Sequence, residues 1–473
     1  MLEISNKLYA APVPEQTFFF YDLETSGLDC RTHRIMQFAG QRTDRNFNVI
    51  GEPLTFLVRL DREVVPHPEA VLMTGITPQH TQSHGIAERE AIKLIMEQAF
   101  TPNTIAVGFN NVRFDDEFIR FTAYRNFHDA YEWAWQDGRS RWDLIDVVRM
   151  VRALRPDGIH WPTDEAGMPV NTLEQLAFSN GLSVERAHDA MSDVQSTIDV
   201  ARMLQKSQPK MFSFLLEHRH KERVAELVDP VHPQPFVYTS TMYGPGTLFT
   251  SIGLPIGYGR QRKVIVYNLQ LDPKLYSEMS SDELQTLRFM KGEEREQHGL
   301  PPFPAKAFQC NRCPAVAPYS VLSEADAGRL GIDRKRIAEN VEALSHGALK
   351  QKLIEVFNVE QTYAPADAEG GLYGTFFSQS DRQVMNQVRD APVETLAKLR
   401  VEFADPRLTR LLVHYKARNC IDALIGHEHL LWDEYCSERR KRDIQEFDQA
   451  VAGFTDISLQ QQGMVEELRQ WFQ

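Results

Sequence analysis

The stretch Thr17-Phe18-Phe19-Phe20-Tyr21-Asp22-Leu23-Glu24-Thr25 decides the fold. Its aromatic run predicts a buried central strand, and the two-residue period of a strand places Asp22 and Glu24 on one face at its end. The spacing alone is weak evidence, because Asp61-Arg62-Glu63 and Asp367-Ala368-Glu369 repeat it in the same chain. Because the two acids lie at the end of an apolar strand, we hypothesise that they are a functional pair of carboxylates.

The segments around this strand predict an α/β domain in which the sheet comes first and the helical crossovers follow. Residues Arg34–Thr43 and Val49–Leu60 predict the other strands of an antiparallel meander. A helix over Ala87–Phe100 is expected to lead into the short strand Thr104–Gly108. Further helices are predicted around residues 115–127, 143–154, 172–180 and 189–205.

The rest of the chain predicts two more domains. Alternating segments at Phe236–Thr241 and Lys263–Leu269 indicate strands of a small β domain. Helical patterns return later, at Leu396–Val401, Leu408–Ala417 and Gly463–Trp471. We expect an α/β domain over 1–205, a β domain over 206–358 and a helical domain over 359–473.

Composition narrows the functional classes. The 473 residues include 42% hydrophobic and 25% charged residues, which is typical of a globular chain of several domains. No stretch is long and apolar enough to span a membrane, and Met1–Pro14 lacks a signal-peptide pattern, so we expect a cytoplasmic protein without a membrane partner. Five cysteines argue against a disulfide framework. The net charge of −13 disfavours the binding of polyanions such as nucleic acids, unless the basic residues are gathered along one channel.

Two later motifs add acids to the first pair. In Gly108–Asp116 a strand ends and a helix begins, which places Asp115 in the first helical turn, and we assign Asp116 and Glu117 to favourable contact with the helix dipole. In His188-Asp189-Ala190-Met191-Ser192-Asp193, Asp189 is the expected N-cap and Asp193 lies one turn inside. A histidine is more often a packed or surface residue, but a histidine five residues before an acid that faces the same cleft is much less ordinary.

Four carboxylates in one cleft require cations. At a separation of about 5 Å each pair repels by about 3 kcal/mol at an effective dielectric constant near 20. Oxygen ligands select hard ions such as Mg²⁺ or Mn²⁺. Two such ions stabilise the attacking and leaving oxygens of a displacement at phosphorus, and His188 could then take a proton from water.

These motifs, in this order, resemble the DEDD-type 3′→5′ exonucleases with a ribonuclease-H-like fold, in the branch with a histidine five residues before the last aspartate. The wider chain is similar to the bacterial exonuclease I family. That similarity lies in residues 110–117, 124–127, 140–144, 187–191, 311–314 and 415–419.

The resemblance implies metal ligands at Asp22, Glu24, Asp115 and Asp193, a general base at His188, and two Mg²⁺ ions that Mn²⁺ could replace. It also implies an SH3-like β domain and a C-terminal helical domain that close a channel over the substrate. The expected activity is processive 3′→5′ digestion of single-stranded DNA to 5′-mononucleotides in DNA repair or recombination. We expect a monomer.

Residues 113–155 predict how a single strand is held, since arginines contact phosphates and aromatic side chains stack on bases without reading sequence. By their positions in the family pattern, the resemblance favours Arg120, Tyr131, Trp135 and Arg149 as strand contacts, with Arg113 structural. The family pattern also implies that Glu24 and Thr25 contact the substrate. It implies a further contact at Thr172, where relatives often have an arginine, so this chain lacks that positive charge. Arg312, between Cys310 and Cys313, is a candidate phosphate contact, because no second cysteine or histidine pair supports zinc there.

Two other basic clusters have different interpretations. Residues 439–442 form a basic run on a helix, which we interpret as a solvated face. The resemblance implies docking of the acidic C-terminal tail of single-stranded DNA-binding protein, for which we select Arg329, Arg334, Lys335 and Arg336.

Two alternative functions stay open at this point. The five site residues alone do not exclude a 3′→5′ exoribonuclease of the same superfamily. A different class is an adaptor that binds single strands without catalysis, although an intact site speaks against it.

Overall fold

The computed structural model describes residues 15–182, 189–360 and 367–472, and its first sheet has the aromatic strand at the centre. The strands are β1 Thr17–Thr25, β2 Ile35–Thr43, β3 Val49–Leu57, β4 Thr104–Gly108 and β5 Ser140–Asp143. Their order is β3-β2-β1-β4-β5. Strands β1, β2 and β3 pair antiparallel, whereas β4 and β5 join in parallel, so the sheet is mixed as expected.

Helices cover both faces of this sheet because β1 is apolar on both sides. Phe18 and Phe20 pack in one cluster with the helices Leu144–Leu154 and Ala190–Ser207, while Phe19 and Tyr21 pack in another with the helices Glu88–Leu94 and Asp115–Arg125. Three layers result, with the sheet between helices. The helices of this part are α1 Pro68–Thr74, α2 Pro78–His84, α3 Glu88–Leu94, α4 Asp115–Arg125, α5 Leu144–Leu154, α6 Leu173–Ser179, α7 Ala190–Ser207, α8 Pro209–Glu217 and α9 Lys221–Leu227.

Two local features of this part differ from the sequence-based expectation. The predicted helix Ala87–Phe100 is α-helical only to Leu94 and continues as the π-helix Ile95–Ala99. Strand β5 was not predicted, because its four residues are too few for a periodic pattern and run directly into α5. Its pairing with β4 fixes Asp143 beside Gly108 at the edge where the acidic residues lie.

The second sheet is an antiparallel five-stranded sheet with the order β10-β6-β7-β8-β9. Its strands are β6 Phe236–Thr239, β7 Thr250–Tyr258, β8 Val264–Asn268, β9 Ala305–Phe308 and β10 Val316–Pro318. Helices α10 Lys274–Ser277, α11 Ser281–Phe289, α12 Gly292–Gln297, α13 Glu324–Arg329, α14 Arg334–His346 and α15 Leu349–Asn358 follow or interrupt these strands. One face of the sheet shares a hydrophobic core with α5, which joins the two sheets into one body.

The last part of the chain is helical. Its helices are α16 Gln379–Asp390, α17 Pro406–Asn419, α18 His427–Ala452 and α19 Leu459–Phe472. The helix expected over Leu396–Val401 is wrong, because a 3₁₀-helix ends at Lys398 and Leu399 is extended. Side chains of α16 and α17 pack on Phe121, Tyr124 and Phe127, and α18 and α19 pack on α1.

A buried group of charges fastens this helical part to the first sheet; we call it the Glu369 cluster. The Glu369 carboxylate accepts from Arg34 Nη2 at 2.5 Å, from His414 Nδ1 at 2.8 Å and from Arg418. Arg439 lies 3.9 Å away and also bonds to Asp443. The interpretation of residues 439–442 as a solvated face is therefore wrong for Arg439, which is 3% exposed.

Candidate active site

Three carboxylates meet at the end of β1. Asp22 and Glu24 alternate with the buried Leu23, so both project from the same face of the strand. Helix α7 packs across β1, and its N-cap Asp189 accepts hydrogen bonds from the backbone of Met191 and Ser192. This cap starts the helix so that Asp193 faces the strand. One oxygen from each of Asp22, Glu24 and Asp193 lies within 4.8 Å of the others.

Asp115 reaches the same end of the sheet from the parallel neighbour β4. It is the first residue of α4, is 4% exposed, and its carboxylate is bonded by the backbone of Leu23. The turn before it is tight, because a Cβ on Gly108 would lie 2.6 Å from Asn111 Cβ. Asp143 closes the turn by accepting from the backbone N–H groups of Asn110 and Val112. These contacts aim Asp115 at the pair on β1.

The electrostatics of these four acids fit a cation. Burial, followed by the charges of Asp115, Glu24 and Asp193, raises the pKa of Asp22 well above its usual range. Burial and the neighbouring acids likewise raise the pKa of Glu24 to about 8 and that of Asp115 to about 8. Without a positive charge, these groups cannot all be ionised near neutral pH. The donors are all carboxylate oxygens, the set that hard divalent ions prefer.

Asp116, next to Asp115, has a different environment from the one that the helix-dipole interpretation suggested. Its side chain is fully buried and accepts hydrogen bonds from Tyr21, Asn111 and Arg141. Arg141 is held in turn by the carbonyl of Asn311 at 2.9 Å, in the second sheet domain. Asp116 thus forms a structural ion pair with Arg141 that anchors the start of α4.

His188 lies outside the described residues, so its role as a general base remains a prediction. Thr25, the last residue of β1, is buried, and its hydroxyl donates to the carbonyl of Gly27 at 2.8 Å. Thr172 is the exposed N-cap of α6, and its side chain makes no capping hydrogen bond.

The arginines selected from the sequence have distinct surroundings. Arg120 pairs with Glu117 at 2.9 Å and lies over the ring of Tyr131. Arg149 is buried, pairs with Asp146 at 2.8 Å and lies over the ring of Phe249. Arg113 also pairs with Asp146, at 2.6 Å, as a structural role requires. Arg312 is partly exposed and reaches Glu117 at 3.3 Å from the loop between β9 and β10.

Aromatic side chains meet where the segment after α4 contacts the helical domain. Tyr131 lies near both Tyr373 and Phe376, and Trp135, four residues further along the chain, is 65% exposed. The sequence analysis missed Tyr373 and Phe376, although two adjacent phenylalanines within Gly374-Thr375-Phe376-Phe377-Ser378 are an unusual composition for a loop. Phe376 is 85% exposed, and together with Tyr131 it borders a cavity of about 100 Å³.

The basic residues chosen for a protein partner lie on α13 and α14. Arg329 pairs with Asp326 at 2.5 Å and donates to the carbonyl of Ala153 on α5. Arg155 pairs with the same Asp326 at 3.0 Å. Arg334 is paired with Glu324 at 2.9 Å, while Lys335 and Arg336 are exposed. Arg329 and Arg155 thus form one junction between the two sheet domains.

Cys310 and Cys313 are free thiols, and the Cys313 thiol donates to the carbonyl of Arg141. Burial raises the pKa of the Cys313 thiol to about 11, which disfavours the thiolate that zinc requires. Among the described residues, no helix combines the length and hydropathy of a membrane span.

Known proteins are similar to this chain over nearly its whole length. Sequence profiles of three families match: "Exonuclease" over residues 19–201, "Exonuclease I SH3-like domain" over 219–359 and "Exonuclease I C-terminal domain" over 366–473. Exodeoxyribonuclease I of Haemophilus influenzae is 39% identical over 443 residues, covering 93% of this chain and 94% of the relative. Exodeoxyribonuclease I of Escherichia coli is 37% identical over 451 residues, with 94% of each covered.

Solved structures agree with these sequence matches. The crystal structure of E. coli exonuclease I in complex with a dA16 oligonucleotide superposes with a TM-score of 0.90 at 35% identity. The superposition covers 97% of this chain and 99% of that one. The expectation of a ribonuclease-H-like exonuclease domain followed by an SH3-like and a helical domain is confirmed. With its acidic site at the end of β1, the chain belongs to the exonuclease I family, whose members are exodeoxyribonucleases and therefore hydrolases.

Proposed function

We propose that this protein degrades single-stranded DNA processively from the 3′ end and releases 5′-mononucleotides, in DNA repair or recombination in the cytoplasm. The observation that carries the proposal is the convergence of Asp22, Glu24 and Asp193 within 4.8 Å at the end of β1. Relatives that share about a third of its residues over nearly the full length bear the name exodeoxyribonuclease I, and one is solved with a dA16 oligonucleotide.

Asp22, Glu24, Asp115 and Asp193 are the residues that would hold two divalent ions, with Mg²⁺ as the proposed ion and Mn²⁺ as a substitute. The ions would supply charge stabilisation at the attacking and leaving oxygens of the phosphodiester. The four side chains would supply the negative charge that holds the ions at one end of the sheet. His188 is proposed to accept the proton of the attacking water, and Glu24 and Thr25 to contact the terminal nucleotide.

The proposed path of the strand follows the arginines and aromatic groups that face the other two domains. Arg120 and Arg312 meet at Glu117 and would contact backbone phosphates, as would Arg149. Tyr131 and Trp135 would stack on bases, and the exposed ring of Phe376 extends this set. Thr172 would supply only a hydroxyl where a charge is usual, so we expect a weaker contact there.

We also propose the domain limits 1–205, 206–358 and 359–473, because each sheet lies wholly within one of the first two segments. The acidic C-terminal tail of single-stranded DNA-binding protein is a proposed partner at the face of α13 and α14, through Arg329, Arg334, Lys335 and Arg336. Arg155 belongs to the same surface, since it shares Asp326 with Arg329. We expect a monomer in solution.

The test of this function digests a 3′-labelled and a 5′-labelled oligonucleotide with and without Mg²⁺. The proposal expects release of a labelled mononucleotide from the 3′ label at once, gradual shortening of the 5′-labelled strand, and no reaction in EDTA. Equal digestion in EDTA would refute a metal-dependent nuclease, and binding without digestion in Mg²⁺ would favour the adaptor. A matched RNA strand separates the exoribonuclease, which would degrade RNA at least as fast.

Variants on one helix sharpen the test. Asp193→Asn removes a proposed ligand and should abolish digestion while the variant still binds the oligonucleotide. Asp199→Asn is the control, because Asp199 lies on the same helix α7 and pairs with Arg202 instead. Isothermal titration with Mn²⁺ gives a readout independent of activity, since Asp193→Asn should weaken metal binding and Asp199→Asn should leave it unchanged. Full activity of Asp193→Asn would overturn the site.

A further inference from the structure

The side chain of Glu117 lies where all three domains meet. It projects from α4 and accepts hydrogen bonds from Arg120 Nη1 at 2.9 Å, from Arg312 Nη2 at 3.3 Å and from the hydroxyl of Tyr373. Arg312 belongs to the SH3-like domain, and Tyr373 ends the 3₁₀-helix Gly371–Tyr373 of the helical domain. A single carboxylate therefore bridges groups that the proposed strand path needs on both sides of the channel.

The partners of this carboxylate retain unused hydrogen-bonding capacity. The side chain of Arg120 is 10% exposed, yet its Nε has no hydrogen-bond partner among the described residues. The side chain of Arg312 is 42% exposed, so its guanidinium also faces solvent. A buried guanidinium donor without an acceptor is costly, and an anionic ligand would satisfy it. The site thus has more donors than Glu117 alone can use.

We infer that Glu117 is a competing anion: its carboxylate holds Arg120 and Arg312 in the free protein, and a backbone phosphate of the strand replaces it on them. The inference rests on the proposed strand contacts and deepens them. Carboxylate and phosphate both match the planar fork of a guanidinium, so one can replace the other without moving the arginine far. A backbone phosphate has two non-bridging acceptor oxygens, as many as Glu117, but it would not have to share them with Tyr373, so an acceptor could also serve Arg120 Nε.

This exchange would have a cost and a benefit for an enzyme that moves along its substrate. The negative charge of Glu117 weakens the hold on each phosphate. It also provides the arginines with a partner whenever a phosphate leaves, which lowers the barrier to the next step of the strand. Removing the charge should therefore tighten binding and slow movement, which is the opposite of what losing a structural support would do.

The test compares Glu117→Gln with Glu90→Gln, which removes the same charge from an exposed position on α3. Fluorescence anisotropy measures binding of a labelled dT16 strand in EDTA at 50 to 300 mM KCl. Glu117→Gln should bind about tenfold more tightly at the lowest salt, the scale of one charge-assisted hydrogen bond. The slope of log K against log[KCl] should steepen by up to about 0.7, because the variant presents one more net positive charge to the strand. Glu90→Gln should match wild type.

An Arg312→Gln background shows whether the effect passes through the arginine. In that background the gain from Glu117→Gln should shrink to less than half on a logarithmic scale. If Glu117→Gln does not fold, as judged by circular dichroism, Glu117→Asp replaces it, because the shorter acid cannot reach Arg312 and should give a smaller gain.

Unchanged or weaker binding by a folded Glu117 variant would overturn the inference, because Glu117 would then only hold the arginines in place. The failure of the proposed function looks different. In that case wild-type protein itself would not bind dT16, or would not digest it in Mg²⁺.

Discussion

Replacement of Glu369 by glutamine tests whether the Glu369 cluster holds the helical domain on the sheet domain. Glu369 is fully buried and faces three guanidinium groups and His414. Arg418 would keep Glu63 at 2.7 Å. Arg34 would keep the distant carboxylate of Glu88, at 3.8 Å, and the backbone carbonyls of Thr32 and His33, each at 3.1 Å. Loss of one partner from a buried ion pair costs about 3–5 kcal/mol, so we expect a loss of that size.

The assay is equilibrium urea unfolding together with limited proteolysis. Because a whole domain is stable by only about 5–15 kcal/mol, the expected loss should shift the unfolding midpoint clearly and expose the segment before α16 to protease. Asp367→Asn is the control, since it removes a carboxylate from the exposed start of the same loop and should change stability by less than about 0.5 kcal/mol. A loss below about 1 kcal/mol in Glu369→Gln would refute the reasoning.

The pH dependence gives a second readout of the same cluster. The guanidinium groups of Arg418 and Arg34 hold the pKa of Glu369 well below its usual range, although burial acts in the opposite direction. A depressed folded-state pKa gives stability that is present above the unfolded pKa, near 4.3, and is lost as pH falls through the folded value. The stability difference between wild type and Glu369→Gln should therefore be constant above about pH 5.5 and shrink below about pH 4.

Three further changes have expected outcomes. Gly108→Ala places a Cβ 2.6 Å from Asn111 Cβ, so it should displace Asp115 and reduce digestion of a labelled strand at least tenfold, whereas Gly246→Ala, in open space, should not. Asp116→Asn leaves Arg141 buried without its counter-charge and should lower urea-unfolding stability by about 3 kcal/mol; an unchanged midpoint would contradict it. Phe376→Ala should weaken dT16 binding in EDTA by about 1–3 kcal/mol while leaving the thermal unfolding temperature unchanged, and equal affinity would remove Phe376 from the strand path.

Local sequence patterns predict much of the fold. The run Phe18–Tyr21 is apolar at every position, and a strand with that pattern must be covered on both faces, which already requires helices on two sides of a sheet. Strand β2 and helix α7 were predicted closely because they repeat their periodicity, whereas β7, α14 and α16 were not predicted although each has nine or more residues. The short strand β5 and the 3₁₀-helix Val393–Lys398 were missed or misassigned, since so few residues carry no reliable period.

Charged residues show where sequence patterns fail. Arg439 and Arg440 are neighbours in one basic run, yet Arg439 is buried beside Glu369 and Arg440 is exposed. Asp115 and Asp116 are neighbours too, but one faces the carboxylate group and the other bonds to Arg141. No local rule separates such pairs, because the partner that decides each case comes from a distant part of the chain.

The sequence by itself determined the order of the longer elements around the site and the residue types at their ends, because strand and helix periods and caps are local properties. It therefore identified the acids at the ends of β1 and β4 and at the start of α7. Only the tertiary structure decided which charges meet, as at Glu117, where three domains contribute one contact each. The physical reason is that an ion pair depends on separation in space, whereas sequence periodicity reports only which way a side chain leaves its own element.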